Sequence, residues 1–308
     1  MSRPQQYPKS HIDRRLCLSI CGLLLCGAAA IIGLNRCSEA AEENPAAEDQ
    51  VEVEKSKKRL DFMMTAVGKY QVDVGTDQKK VAELNPKPLL RWSNPVSSVK
   101  DGLVAAFSRG GRPDVLCQLH IHHGAYMAQE FAKITTEPVW VKRGNNLVWQ
   151  PMETWITFQA LDGAPEPAKT ANLRLPQFRK EAQRFSVVDD FEVEQVPTPN
   201  HLRLLAQPLL RYSDVQQGGD IVDGAVFSFV LGTNPEANLF LEIYKDGDAL
   251  RWRYAWTPMT IYALEAKLDD QSVWVKPPYK QFCNAQGPYY ACQYQSDPSD
   301  ADIKSLLK

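Results

Sequence analysis

The densest group of metal-competent side chains in the sequence is His120-Ile121-His122-His123, in which His120 and His122 share one face of a strand-like run. Two imidazoles at that spacing can fill two positions of a zinc or copper shell, but such shells take three or four ligands. No further donor stands near them in sequence, so the expectation is no metal and no cofactor, with His120 and His122 retained as binding candidates. A second constellation is Trp252, Tyr254 and Trp256, which alternate along one strand face at a spacing that suits stacking on sugar rings. A half-buried aromatic strand has the same pattern. Ser97-Ser98-Val99-Lys100 has the SxxK spacing of penicillin-interacting serine enzymes, yet neither an SDN nor a KTG partner follows, and an inter-strand loop accounts for it. No nucleophile elbow, HExxH, phosphate loop or dinucleotide fingerprint is present. Asp189-Asp190 and Asp269-Asp270 read as solvated linker and turn acids. Arg91 and Arg211 each follow two leucines and read as structural salt-bridge partners first and anion ligands second. The inventory of catalytic groups is therefore empty, and binding is favoured over catalysis.

The elements that position these residues come in two sets. Pro88-Leu89-Leu90-Arg91-Trp92-Ser93-Asn94 matches Pro208-Leu209-Leu210-Arg211-Tyr212-Ser213-Asp214, Asp101-Gly102-Leu103-Val104 matches Asp223-Gly224-Ala225-Val226, and 131–149 matches 256–274. Three collinear blocks with slowly growing offsets imply a tandem duplication of a domain of roughly 115 to 125 residues. A helix opens each copy: Leu60, Met63, Met64 and Val67 recur at helical steps, and Arg174, Leu175, Phe178 and Ala182 repeat the pattern. Hairpins follow at 140–149 and 266–274. In 115–122, Cys117, Leu119 and Ile121 form a core face, while Gln118, His120 and His122 are expected to face outward. The fold class is α+β, mainly antiparallel β, with two tandem copies of a helix followed by about five strands.

Location is written at the N-terminus. Arg3, Lys9, Arg14 and Arg15 precede an uncharged run over 16–34, which as a helix would reach about 28 Å, enough to span a bilayer. The following flank is acidic, which orients the chain with its C-terminal part outside the cytoplasm. The run reads as a retained single-pass anchor of the cell membrane, with Ser38-Glu39-Ala40 a tolerable cleavage site that would make the protein secreted. Cys26 and Cys37 lack the flanks of a lipidation site. The domain boundaries are a tail and anchor at 1–36, an acidic flexible linker at 37–56, units at 57–160 and 161–281, and a C-terminal segment at 282–308. Export permits disulfides, and Cys283 and Cys292 bracket a turn-rich stretch that a local bridge would close, with zinc the alternative. Cys117 reads as a small core hydrophobe. A formal net charge of -2 supplies no basic field, so nucleic acid is excluded as a partner. The expected partners are the membrane through 16–34 and an envelope glycan or another envelope protein.

The strings QPLLRYSD, DGAVFSFVLGTNPE and WTPMTIYALEAKLDDQSVW resemble a family of exported, membrane-anchored proteins found mainly in planctomycete bacteria. The likeness covers 202–277 best, and the first copy departs from it at Ser108 to Arg112, which is short. The family has no activity to carry over, so the resemblance implies export and a duplicated fold and adds no chemistry. The role expected is a non-enzymatic envelope binding or scaffolding protein, the alternative being an exported enzyme with its site where the two units meet. Edman sequencing of the mature protein is expected to start at the original N-terminus; a start after Ala40 would replace the anchor by a cleaved signal.

Overall fold

The computed structural model describes residues 45–95, 97–123, 126–191, 199–213 and 220–296. The apolar run 16–34 and linker residues 37–44 lie outside the described residues. Among those described, no helix is long and apolar enough to cross a membrane. Helix α1 (Pro45–Gly68) buries Met63 and Val67, as their spacing foresees, together with Ala66. It begins well ahead of residue 57, so linker residues 45–56 are helical rather than a flexible tether. Ala and Glu are strong helix formers, and a docked C-terminal half lets the helix propagate backwards. Val51 and Val53 remain exposed on it.

Strands β1 (Tyr70–Val74), β2 (Lys80–Leu84), β3 (Leu90–Asn94), β4 (Val99–Arg109), β5 (Arg112–His122), β6 (Met127–Lys133), β7 (Val139–Arg143) and β8 (Asn146–Trp149) follow α1. After the short β9 (Gln159–Ala160) comes α2 (Ala171–Ala182), which buries Arg174, Phe178 and Ala182. The remaining strands are β10 (Phe185–Asp189), β11 (Asn200–His201), β12 (Arg203–Leu204), β13 (Leu210–Ser213), β14 (Ile221–Leu231), β15 (Asn234–Asp246), β16 (Ala249–Pro258), β17 (Leu264–Leu268), β18 (Gln271–Lys276) and β19 (Tyr289–Gln293). Every pairing is antiparallel, so the fold is α+β and mainly β. Among the described residues eight strands lie between α1 and β9, more than the five or so expected, and β4 and β5 are buried on both faces.

That double burial has a cause in the layering. One face of the β4–β6 hairpins packs under α1 around Leu103, Cys117, Leu119 and Phe131. One face of β14–β16 packs under α2 around Phe227, Leu239, Trp252 and Trp256. The opposite faces meet each other in a third core containing Val104, Leu116 and Ala132 from one sheet and Val226, Phe240 and Ala255 from the other. The face of 115–122 expected to look outward is therefore interior: Gln118 is 1% exposed and Phe240 and Glu242 are fully buried. The seam is closed by reciprocal strand addition. β9, which follows the first set of strands, pairs with β16 of the second, and β19, which follows the second set, pairs with β6 of the first. A disulfide joins Cys283 to Cys292 in β19, and Cys117 is a free, buried thiol.

Each helix is fastened to its sheet by the same ionic arrangement. Asp101 of β4 accepts from Arg59 of α1 at 3.1 Å and from Arg91 of β3 at 2.6 and 3.0 Å. Asp223 of β14 accepts from Arg174 of α2 at 2.8 Å and from Arg211 of β13 at 2.6 and 3.1 Å. The residue after each aspartate is a glycine lying directly under an aromatic ring. A Cβ on Gly102 would stand 2.6 Å from Trp92, and one on Gly224 would stand 2.2 Å from Tyr212. Asp223→Ala would leave Arg174 without its buried counter-charge, so it is expected to destabilise the fold by about 3–5 kcal/mol; chemical denaturation of the variant measures this.

Candidate functional site

The residues singled out by sequence fall in different places. Trp252, Tyr254 and Trp256 are core: they are 5%, 2% and 1% exposed. The Trp252 ring meets Phe178 edge-on at 4.9 Å, and Trp256 stacks on Trp274 at 5.7 Å. The shared face that would stack on a sugar is the face that packs under α2, which corrects the sugar-platform reading. His120 is 8% exposed at the seam, its Nδ1 without a protein partner, 5.7 Å from the Trp92 ring and 4.9 Å from His122. Burial, with a smaller effect of His122, holds its pKa down to about 3, so it is a neutral imidazole. His122 stacks on Tyr126 at 4.6 Å. Among the described residues no third metal-ligating side chain joins the two histidines. Ser97 sits in the β3–β4 turn with its hydroxyl 3.5 Å from the Asn94 carbonyl. Asp189 is buried and accepts from Asn200, not solvated as its linker context implied.

The site with the most developed chemistry contains none of these residues. It is a cavity of about 530 Å³ at the seam, lined by Arg109, Arg112, Phe158 and Arg253 together with threonines 135, 136 and 157. Its construction begins with the β4–β5 turn, where Gly110 and Gly111 adopt positive φ of 56° and 85° and let Arg109 and Arg112 flank a tight reversal. Arg109 grips Asp114 of its own hairpin through two bonds of 2.7 Å and reaches Glu137 at 2.8 Å. Arg112 crosses the seam to Glu242 of β15, donating from Nε at 2.8 Å. Glu242, fully buried, also accepts from Arg253 Nε at 2.7 Å and from the Tyr212 hydroxyl at 2.8 Å. With three donors converging on it, this carboxylate fixes both guanidiniums in place. Phe158 completes the wall, with Arg253 4.5 Å and Arg112 5.4 Å from its ring centroid. Tyr244 lies 5.0 Å from the Arg253 guanidinium.

Deeper in the seam is a second polar set. Glu130 accepts from Gln118 Nε2 at 3.1 Å and lies against the Tyr289 hydroxyl. Burial pushes its carboxyl up to about 7. Lys276 is fully buried, donates to the Thr260 and Tyr262 carbonyls at 2.9 and 2.5 Å, and is held down to about 7 by burial.

Sequence reasoning missed the cleft because Arg112 and Glu242 are 130 residues apart, and each looks like an ordinary surface charge in its own segment. The one available signal was local: two arginines flank a two-glycine turn at 109–112. No family model, curated protein or solved structure matches this chain.

Glu130 gives a pH signature. Its folded pKa lies above the ordinary 4.5, so folding takes up a proton between about pH 4.5 and 7 and stability falls as pH rises through that window. Glu130→Gln removes the titration and is expected to stabilise the protein at pH 8 by roughly 1 kcal/mol. Unfolding curves at pH 5 and pH 8 test this; an unchanged difference between them refutes it.

Proposed function

We propose that this chain is a non-enzymatic binding module of the cell envelope, made of two tandem copies of one helix-plus-sheet unit. The observation that carries the binding reading is the pairing of the acids that hold the cleft's arginines. Both oxygens of Asp114 are taken by Arg109, Glu137 is shared between Arg109 and Lys80, and Glu242 is shared between Arg112 and Arg253. General acid/base work needs a carboxyl free to exchange a proton, whereas these three are each engaged by arginine or lysine. A preformed cleft with fixed polar groups and one aromatic wall suits recognition.

The duplication is supported by the matched triads Arg59–Asp101–Arg91 and Arg174–Asp223–Arg211, by the matched pairs Trp92–Gly102 and Tyr212–Gly224, and by the reciprocal addition of β9 and β19. Reciprocity of this kind is the pattern of an isologous dimer, here between two halves of one chain. Export and anchoring rest on the basic flank and apolar run at 1–34, and a glycan or another envelope protein is the partner they place within reach.

Thr157 is exposed at the cleft wall, so Thr157→Trp fills the cleft without touching a core. Retention of the full-length protein on isolated envelope material is expected to drop about tenfold or more, a loss near 1.4 kcal/mol, at an unchanged melting temperature. Equal retention of variant and wild type would remove the cleft from function.

A further inference from the structure

We propose that the seam cleft binds a small organic anion, a molecule presenting a carboxylate or phosphate group on an apolar body. The inference rests on the binding-module reading and names the ligand class for that same site. Three guanidiniums line the cavity, those of Arg109, Arg112 and Arg253. A guanidinium carries five N–H donors. Glu242 engages one nitrogen of Arg112 and the Nε/Nη2 edge of Arg253, so both forks keep donors beyond those bonds. The acceptors are in the opposite condition, since Asp114, Glu137 and Glu242 each already serve arginine or lysine. A cationic ligand would have to take a carboxylate from its partner, at the cost of a stranded buried arginine. An anion finds uncommitted donors in fork geometry, the arrangement that binds carboxylate and phosphate bidentately.

Rigidity and shape point the same way. Arg253 is enclosed between the Phe158 and Tyr244 rings at 4.5 and 5.0 Å, and its carboxylate partner Glu242 is fully buried. Little side-chain freedom remains to be lost when a ligand arrives. Ile156, Ile221 and Phe158 line the rest of the cavity and give an apolar body a surface to cover. A volume of about 530 Å³ accommodates a metabolite-sized molecule rather than a single inorganic ion. A neutral sugar would use the threonines but not the charge of the guanidinium donors that remain.

Calorimetric titration of the full-length chain in detergent with citrate, inorganic phosphate and glucose tests the inference. Citrate or phosphate is expected to bind saturably, more weakly at high salt, and glucose to give no heat. Binding of citrate alone identifies a carboxylate ligand, and binding of phosphate alone identifies a phosphate ligand. Arg253→Gln is expected to weaken binding roughly 10- to 100-fold, and Arg253→Lys, which keeps the charge and loses the fork, by an intermediate factor. Should Arg253→Gln unfold, the matched pair Arg112→Gln/Glu242→Gln removes donor and buried acid together and reads out the same loss. Failure of both anions to bind at millimolar concentration, or wild-type affinity in the folded variants, overturns the inference. Loss of envelope retention in Thr157→Trp together with no anion binding would overturn only the ligand class and leave the binding module standing.

Discussion

The structure depends on two buried aspartates, each bracketed by a pair of arginines. Asp101 and Asp223 are 4% and 0% exposed, and an isolated carboxylate there would cost several kcal/mol. The arginines come from the helix and from the strand beside the aspartate, so satisfying one charge fixes helix to sheet and strand to strand together. The next residue extends the constraint to the other face. Side chains alternate along a strand, so the aspartate points at the helix while Gly102 or Gly224 leaves room on the seam side for Trp92 or Tyr212. Tyr212 then donates to Glu242, which holds Arg112 and Arg253 at the cleft. A two-residue Asp-Gly word thus determines the helix side of the sheet directly and the cleft at one remove.

The two seam faces carry different chemistry at matching register. Glu242 stands opposite Gly224 as His120 stands opposite Gly102. The glutamate collects two guanidiniums and a phenol, whereas the histidine, among aromatic rings, is held neutral by burial. On the proposed duplication, one ancestral position has become a charged anchor in one copy and an apolar-packed imidazole in the other. The charged version holds two of the arginines that line the cleft.

Much of the frame was legible from sequence because it is set by local rules. The helical spacing of Leu60, Met63 and Val67, the hairpin at 140–149 and the core face of Cys117, Leu119 and Ile121 each follow from periodicity within a few residues. What escaped is set by contacts across the chain. The second face of β5 reads as polar because Gln118 and His120 are polar, and only the arrival of the other sheet makes it interior. Trp252, Tyr254 and Trp256 read equally as platform or core, and the docking of α2 decides between them. The cleft joins Arg112 to Glu242, whose meeting no window of local sequence contains.

The reciprocal strand addition has a consequence for how the chain matures. β6 ends at Lys133 and waits for β19, which begins at Tyr289, so the first sheet has an unfinished edge until that distant segment has emerged. Pairings this distant in sequence form slowly, since the intervening segment must be closed into a loop first. Neither half can reach its final state and wait for the other. Assembly is a joint event governed by the arrival of β19, and the open edge of β6 is where a stalled or truncated chain would recruit a foreign strand.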